Sequence, residues 1–324
     1  MEEILRIFPD DFRRVLEKKV EGRWSFLQEI RVRIFQPIEL IFDFGVEWLP
    51  ERKPTSRDAT YMLNQISEFS LYRMTDELRE GYMTVEGGHR IGIAGKVNTE
   101  HGSVKALQYV TFFNIRIAKQ KIGCAVPLLP YIFYKGYANT LIVGPPQTGK
   151  TTLIRDLARI ISSGWQKQKG LKVGIIDERS EIAASLKGIP QHDIGPRTDV
   201  LDACPKAEGM MMMIRSMSPD VLIVDEIGKK KDIEALLEAV NSGVTVICTI
   251  HGQTLDELKK RPSLQPVFDQ KLFERIILLD KHREPGTILK IYDQNEKIHF
   301  PIRSYHNEMD RSTVTRRSDN LGRI

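Results

Sequence analysis

The sequence predicts an α/β chain: a smaller α+β module followed by a larger region built on a mostly parallel, helix-covered sheet. Three observations carry this expectation. From residue 140 onward, apolar β-branched runs alternate with helical segments, and strands buried on both faces read as such continuous runs. The first third instead mixes short helices, short strands and a glycine-joined hairpin. A length of 324 residues also suits about two domains.

Phe12, Val15, Leu16 and Val20 share one helical face after Pro9-Asp10. Strands are expected at 29–34 and 37–42. Thr55-Ser56-Arg57-Asp58 reads as a capping box that opens a helix carrying Ala59, Met62, Ile66 and Phe69. Residues 82–86 face 89–97 across Gly87-Gly88 as a hairpin, and a further strand covers 109–117. Gly and Pro punctuate 123–130, which places a boundary at about 127. Residues 1–127 then form the α+β domain and 128–302 the helix-covered sheet, while 303–324 are polar and lack periodicity, as a loose tail does. Strands of the second part are expected at 140–143, 172–177, 221–225, 244–250 and 275–280, the last paired with 287–292 as an antiparallel edge. The methionine run 210–213, with Ile214 and Met217, has helical spacing suited to core or to a subunit interface.

Composition narrows the class of function. A net charge of +5, with basic and acidic side chains balanced on both sides of residue 127, gives no polybasic face for nucleic acid or lipid. The longest nearly continuous apolar stretch, 124–134, is about half the roughly 20 residues a membrane span needs, and it holds Pro127 and Pro130. Glu2-Glu3 stand where a secretory signal would be basic. Cys124, Cys204 and Cys248 have no ligand spacing, so a cytoplasmic chain without zinc is expected.

The chemistry begins at Gly144-Pro145-Pro146-Gln147-Thr148-Gly149-Lys150-Thr151, followed by Thr152. This is a GxxxxGK[ST] loop between an apolar strand and a helix with Leu153, Ile154, Leu157 and Ile161 on one face. Backbone N–H groups in such a loop converge on phosphate oxygens at a helix N-terminus. Lys150 would reach the β and γ phosphates, and the Thr151 hydroxyl would ligate Mg²⁺. Downstream, 221–224 are apolar and end in Asp225-Glu226, where Asp225 can hold the hydration shell of Mg²⁺. A second acidic turn, Asp177-Glu178-Arg179-Ser180-Glu181, follows another strand. Glu178, Glu181 and Glu226 all qualify by strand position to activate water. His251 closes the strand at 244–250, pointing into the ligand crevice of an open parallel sheet as a γ-phosphate sensor would.

In order, the P-loop, the acidic box, the Walker-B strand and the histidine box Thr249-Ile250-His251 resemble the secretion-superfamily ATPases of type II and type IV secretion and of type IV pili. Arg215-Ser216-Met217-Ser218-Pro219-Asp220 looks like that family's arginine segment. The resemblance is stronger to its stage III sporulation AA branch, through 193–202 (DIGPRTDVLD), 204–210 (CPKAEGM), 214–217 (IRSM) and 114–118 (NIRIA). Secretion ATPases usually end Walker B in Gly-Glu, where this chain has Asp225-Glu226, so the division of labour between Glu181 and Glu226 stays open. The resemblance implies a RecA-like P-loop NTPase core using ATP and Mg²⁺, and a homo-oligomer, a hexamer in the family. Arg116, Arg179, Arg197 and Arg215 are its candidates to close on the γ-phosphate. It implies a ring motor docked on the cytoplasmic face of a membrane complex between mother cell and forespore, with no nucleic acid and no membrane insertion of its own. A RecA-like nucleic-acid motor and a nucleotide-gated scaffold with incidental hydrolysis are the alternatives.

Overall fold

In the computed structural model, residues 1–50, 52–67, 81–100 and 103–299 are described, and two sheets organise them. The expected tail at 303–324 and Phe69 lie outside the described residues.

The first sheet has the order β3-β2-β1-β6-β5-β4, antiparallel throughout. Its strands are β1 (Leu27–Arg33), β2 (Ile38–Phe42), β3 (Gly45–Leu49), β4 (Tyr82–Val85), β5 (His89–Glu100) and β6 (Ser103–Arg116). Helices α1 (Glu2–Leu5), α2 (Asp10–Val20) and α3 (Ser56–Ile66) cover one face. Alternation decides which face: Ile30 stands opposite Leu40 and Ile115 in register, and all three are fully buried beneath those helices. The opposite face carries Glu29, Arg31, Arg90 and Arg116. The capping box is present, with the Thr55 and Asp58 side chains each accepting the other's backbone N–H. Val15 differs from expectation, since the stripe Phe12–Leu16–Val20 repeats every four residues and leaves Val15 exposed. In the β4–β5 hairpin both Gly87 and Gly88 adopt left-handed backbone angles, +79° and +76°.

The second sheet has the order β14-β13-β12-β7-β11-β10-β8-β9. The strands are β7 (Thr140–Val143), β8 (Val173–Asp177), β9 (Thr198–Asp202), β10 (Val221–Val224), β11 (Thr245–Ile250), β12 (Arg275–Leu279), β13 (Ile288–Asp293) and β14 (Ile298–His299). From β12 to β9 every pairing is parallel, while β13 and β14 form the antiparallel edge. Two cores explain the continuous apolar runs. Leu222, Val224, Val246 and Cys248 join one core with α6 (Lys206–Met217) and α7 (Lys230–Asn241); Val221, Ile223 and Ile247 join the other with α5 (Lys150–Ser163). Each fully buried Leu or Ile contributes roughly 1.5–3 kcal/mol. The short helix α4 (Leu129–Ile132) packs in that second core, and α8 (Leu255–Lys259) and α9 (Gln265–Asp269) precede β12. Met210 and Met213 are core, whereas Met212 and Met217 are half exposed. Among the described residues no helix is long and apolar enough to cross a membrane.

Candidate active site

Register brings the chemistry to the carboxyl ends of four neighbouring strands of the second sheet. Ile250 lies beside Val143, Val224 beside Cys248, and Val224 beside Ile176. The P-loop, His251, Asp225-Glu226 and Asp177-Glu178 therefore leave neighbouring strands on the same side.

The P-loop turns through left-handed angles at Gln147 (+64°) and Gly149 (+84°). Gly144 admits no side chain, since a Cβ there would lie 2.4 Å from the Thr148 hydroxyl oxygen. That hydroxyl donates to the Pro145 carbonyl at 2.8 Å, and the Gly286 N–H braces the Thr148 carbonyl at 2.9 Å. Pro146 and Gln147 form the exposed tip. Thr152 follows in the first turn of α5, its carbonyl taking the Cys124 thiol at 3.7 Å.

Lys150 is curled into its own loop. Its Nζ donates to the carbonyls of Gly144 and Pro145, both at 2.9 Å, and meets His251 Nδ1 at 3.2 Å. An ammonium group has only donors, so Nδ1 must accept and the imidazole proton sits on Nε2. Nε2 then donates to Glu226 Oε1 at 2.6 Å, while Arg179 holds the other oxygen of Glu226 at 3.2 Å. Burial pushes the Lys150 pKa down, against the pull of Asp225 and Glu226.

Thr151 donates to Asp225 Oδ2 at 2.7 Å, and buried Thr249 donates to Oδ1. Thr249 also accepts the Glu226 N–H at 2.8 Å, which supports the left-handed backbone of Glu226 (φ +51°). Thr151 and Asp225 are hard oxygen donors suited to Mg²⁺. Among the described residues no three His, Cys, Asp or Glu side chains gather to hold a metal alone. A cation here would depend on phosphate oxygens, as Mg²⁺ in nucleotide sites does.

Residues 1–298 match the family described as sporulation stage III, protein AA. Stage III sporulation protein AA of Bacillus subtilis is 50% identical over 298 residues, which span 92% of this chain and 97% of that protein. The chain belongs to the stage III sporulation protein AA family. Its fold is the RecA-like P-loop fold of secretion ATPases. The Legionella pneumophila ATPase DotB superposes with a TM-score of 0.58 at 15% identity, covering 84% of this chain and 76% of DotB. The pilus retraction motor PilT, bound to ADP, gives 0.56 at 16% identity over 82% and 77%.

The acidic turn after β8 is built on Asp177. Its two oxygens, all but inaccessible, accept the N–H groups of Glu181 (2.8 Å), Ile182 (2.9 Å) and Ala183 (2.9 Å). Burial nevertheless raises its pKa to about 6. The Glu181 carboxylate reaches across to the first sheet and pairs with Arg90 at 3.1 Å, whose guanidinium lies 3.5 Å above the Tyr82 ring. Residues 182–193 continue as a strap against the β4–β5 turn and the segment after β6: Gln191 accepts the Gly87 N–H at 3.0 Å, and Asp193 exchanges two hydrogen bonds with Gln120.

Several expected site residues stand elsewhere. Glu178 is occupied by the buried Lys206, which holds its pKa below the usual range, a poor state for a proton acceptor. Arg116 pairs with Glu29 at 3.5 Å on the first sheet. Arg197 precedes β9 and donates to Gly170, at the end of the sheet opposite the P-loop. Arg215 bonds to Met211 one turn back, near the start of β10 rather than its end. Of the four expected arginines, Arg179 alone touches a site carboxylate. Sequence reasoning missed Arg90, whose only local signal is alternation on a strand, and Arg155, a charged residue inside the apolar face of α5.

Proposed function

We propose that this chain is an Mg²⁺-dependent ATPase that acts as a homo-oligomeric ring, a hexamer, energising assembly of or transport through the channel complex between mother cell and forespore. The observation that carries the hydrolase reading is the contact of the P-loop Thr151 hydroxyl with Asp225 at 2.7 Å, since it sets both Mg²⁺-side oxygens beside the phosphate loop. ATP would displace the Gly144 and Pro145 carbonyls from Lys150, whose ammonium then meets the β and γ phosphates. Bound Mg²⁺, held by Thr151 with Asp225 behind it, would neutralise phosphate charge as a Lewis acid. Water attacks the γ-phosphorus, the bond to ADP breaks, and the water's proton passes to Glu181 or Glu226. Residues 1–127 act as a domain that closes over the nucleotide, and Arg116, Arg197 and Arg215, away from their own chain's P-loop, are available to a neighbouring subunit. Docking is from the cytoplasm onto membrane proteins.

The test is complementation of a Bacillus subtilis strain lacking its 50% identical relative, paired with turnover assays of the purified chain. Lys150→Ala should abolish both hydrolysis and spore formation. Normal sporulation with that variant would remove the motor role. Sporulation by hydrolysis-dead, ATP-binding variants of Glu181 or Glu226 would instead select the nucleotide-gated scaffold. Strong stimulation by single-stranded DNA with a steep salt dependence would select the nucleic-acid motor.

A further inference from the structure

Arg155 sits on α5, one turn beyond Lys150 and Thr151, and is about nine-tenths buried. Its Nε donates to the Ile182 carbonyl at 2.5 Å and its Nη2 to the Glu181 carbonyl at 2.6 Å. The same two residues give their N–H groups to Asp177. The acidic turn is thus gripped from both polarities: a buried carboxylate takes its donors and a buried guanidinium takes its acceptors. A fork of fixed N–H directions satisfies two adjacent carbonyls where a lysine could not hold both in register. The Glu181 backbone is fixed relative to the P-loop helix, while its side chain is left to Arg90.

We propose that Arg155 is a positioning residue, tying the P-loop helix to the acidic turn so that Glu181 presents its carboxylate at a set distance from the bound γ-phosphate. The role rests on the hydrolase reading with Glu181 as the proton acceptor. Misplacing a reacting group by about 1 Å can cost a hundredfold in rate. Burial alone would account for a stabilising residue; the paired contact with the carbonyls of Glu181 and of the residue that follows it is what gives this one a positioning role.

The experiment compares Arg155→Lys, Asp177→Asn, Glu181→Gln and the Arg155→Lys/Glu181→Gln double variant in the full chain. The readouts are kcat and KM for ATP, affinity for a non-hydrolysed ATP analogue, and thermal melting. Arg155→Lys should lower kcat by tenfold to a hundredfold with KM and analogue affinity within about twofold. In the Glu181→Gln background it should add nothing, because its effect passes through Glu181. Asp177→Asn should give the same split. Multiplicative losses in the double variant, a fall of kcat while Glu181→Gln stays active, or loss of analogue binding by both Arg155→Lys and Asp177→Asn would overturn the role. A wild type that hydrolyses ATP while Arg155→Lys keeps its kcat removes only this inference. A wild type that binds but never hydrolyses removes the hydrolase reading as well.

Discussion

Glu226 and Glu181 leave the ends of neighbouring strands, β10 and β8, but their carboxylates answer to different parts of the molecule. Glu226 is held by His251 and Arg179, its backbone by Thr249, and through His251 it is one contact from Lys150. Among the described residues, the contacts that fix it belong to the second sheet and its loops. Glu181 has a backbone anchored by Asp177 and Arg155 and a side chain held by Arg90 of the first sheet. One acid reports on the P-loop lysine; the other spans the two sheets. In this arrangement, removing Lys150 from His251 on nucleotide binding would loosen Glu226, whereas moving the first sheet would release Glu181.

The largest expected effect separates them directly. Glu181→Gln should lower kcat by about a hundredfold to a thousandfold while ATP-analogue affinity is kept, the signature of a lost general base. Glu226→Gln should also change analogue affinity, because its partner His251 contacts Lys150. Measuring kcat and affinity for both variants checks this; an affinity change confined to Glu181→Gln would reverse the comparison.

Next in size is the pH dependence of the Asp177 anchor. Asp177 titrates at about 6 in the folded chain against 3.8 without burial. Between those values the unfolded chain loses its proton first, so the folded state binds more protons. Stability from this group therefore falls as pH rises from about 4 to 6 and is level above, by about 3 kcal/mol in all. In urea unfolding, the advantage of wild type over Asp177→Asn should be largest at pH 4 and shrink by that order by pH 7. A constant gap would place the cause elsewhere than in the carboxyl.

How far each turn could be read in advance follows the same division. The P-loop, the apolar run 221–224 and its two acids are contiguous, and their function depends on strand, loop and helix in immediate succession. They fold where the pattern says. What holds the Glu181 side chain is not contiguous: Arg90 lies 91 residues away and looks like any polar residue on a half-exposed strand. Arg155 did leave a trace, a charge beside Ile154 and Leu157 on a buried helix face. β9 escaped because Thr198–Asp202 is a polar edge strand without an apolar run. Of the arginines expected to close on the γ-phosphate, Arg116 on β6, Arg197 just before β9 and Arg215 at the end of α6 are engaged away from the P-loop of their own chain.

Thr249 tests the self-contained side of the comparison. It is fully buried, donates to Asp225 and accepts from Glu226. Thr249→Val keeps the shape, leaves the Glu226 N–H unpaired and costs roughly 1–3 kcal/mol, read in urea unfolding. The Arg90–Glu181 contact should be unaffected, so a double variant with Arg90→Ala should show additive losses.

The smallest effect belongs to Arg90 itself. Its ion pair with Glu181 is partly exposed on both sides, at 30% and 37%, and such pairs contribute about 0–1 kcal/mol. Arg90→Ala should therefore leave overall stability nearly unchanged, and a double-mutant cycle with Glu181→Gln should give a coupling below about 1 kcal/mol that fades with added salt. That weakness is what the position requires. In the proposed closing of the first sheet over the nucleotide, a contact that linked the two sheets would have to be weak, whereas the anchors that keep Glu181 in register with the P-loop helix, Asp177 and Arg155, are buried and multiply bonded. A coupling of several kcal/mol across Arg90 and Glu181 would mean that the two sheets are locked together, and Glu181 would then be a structural tie like Glu178.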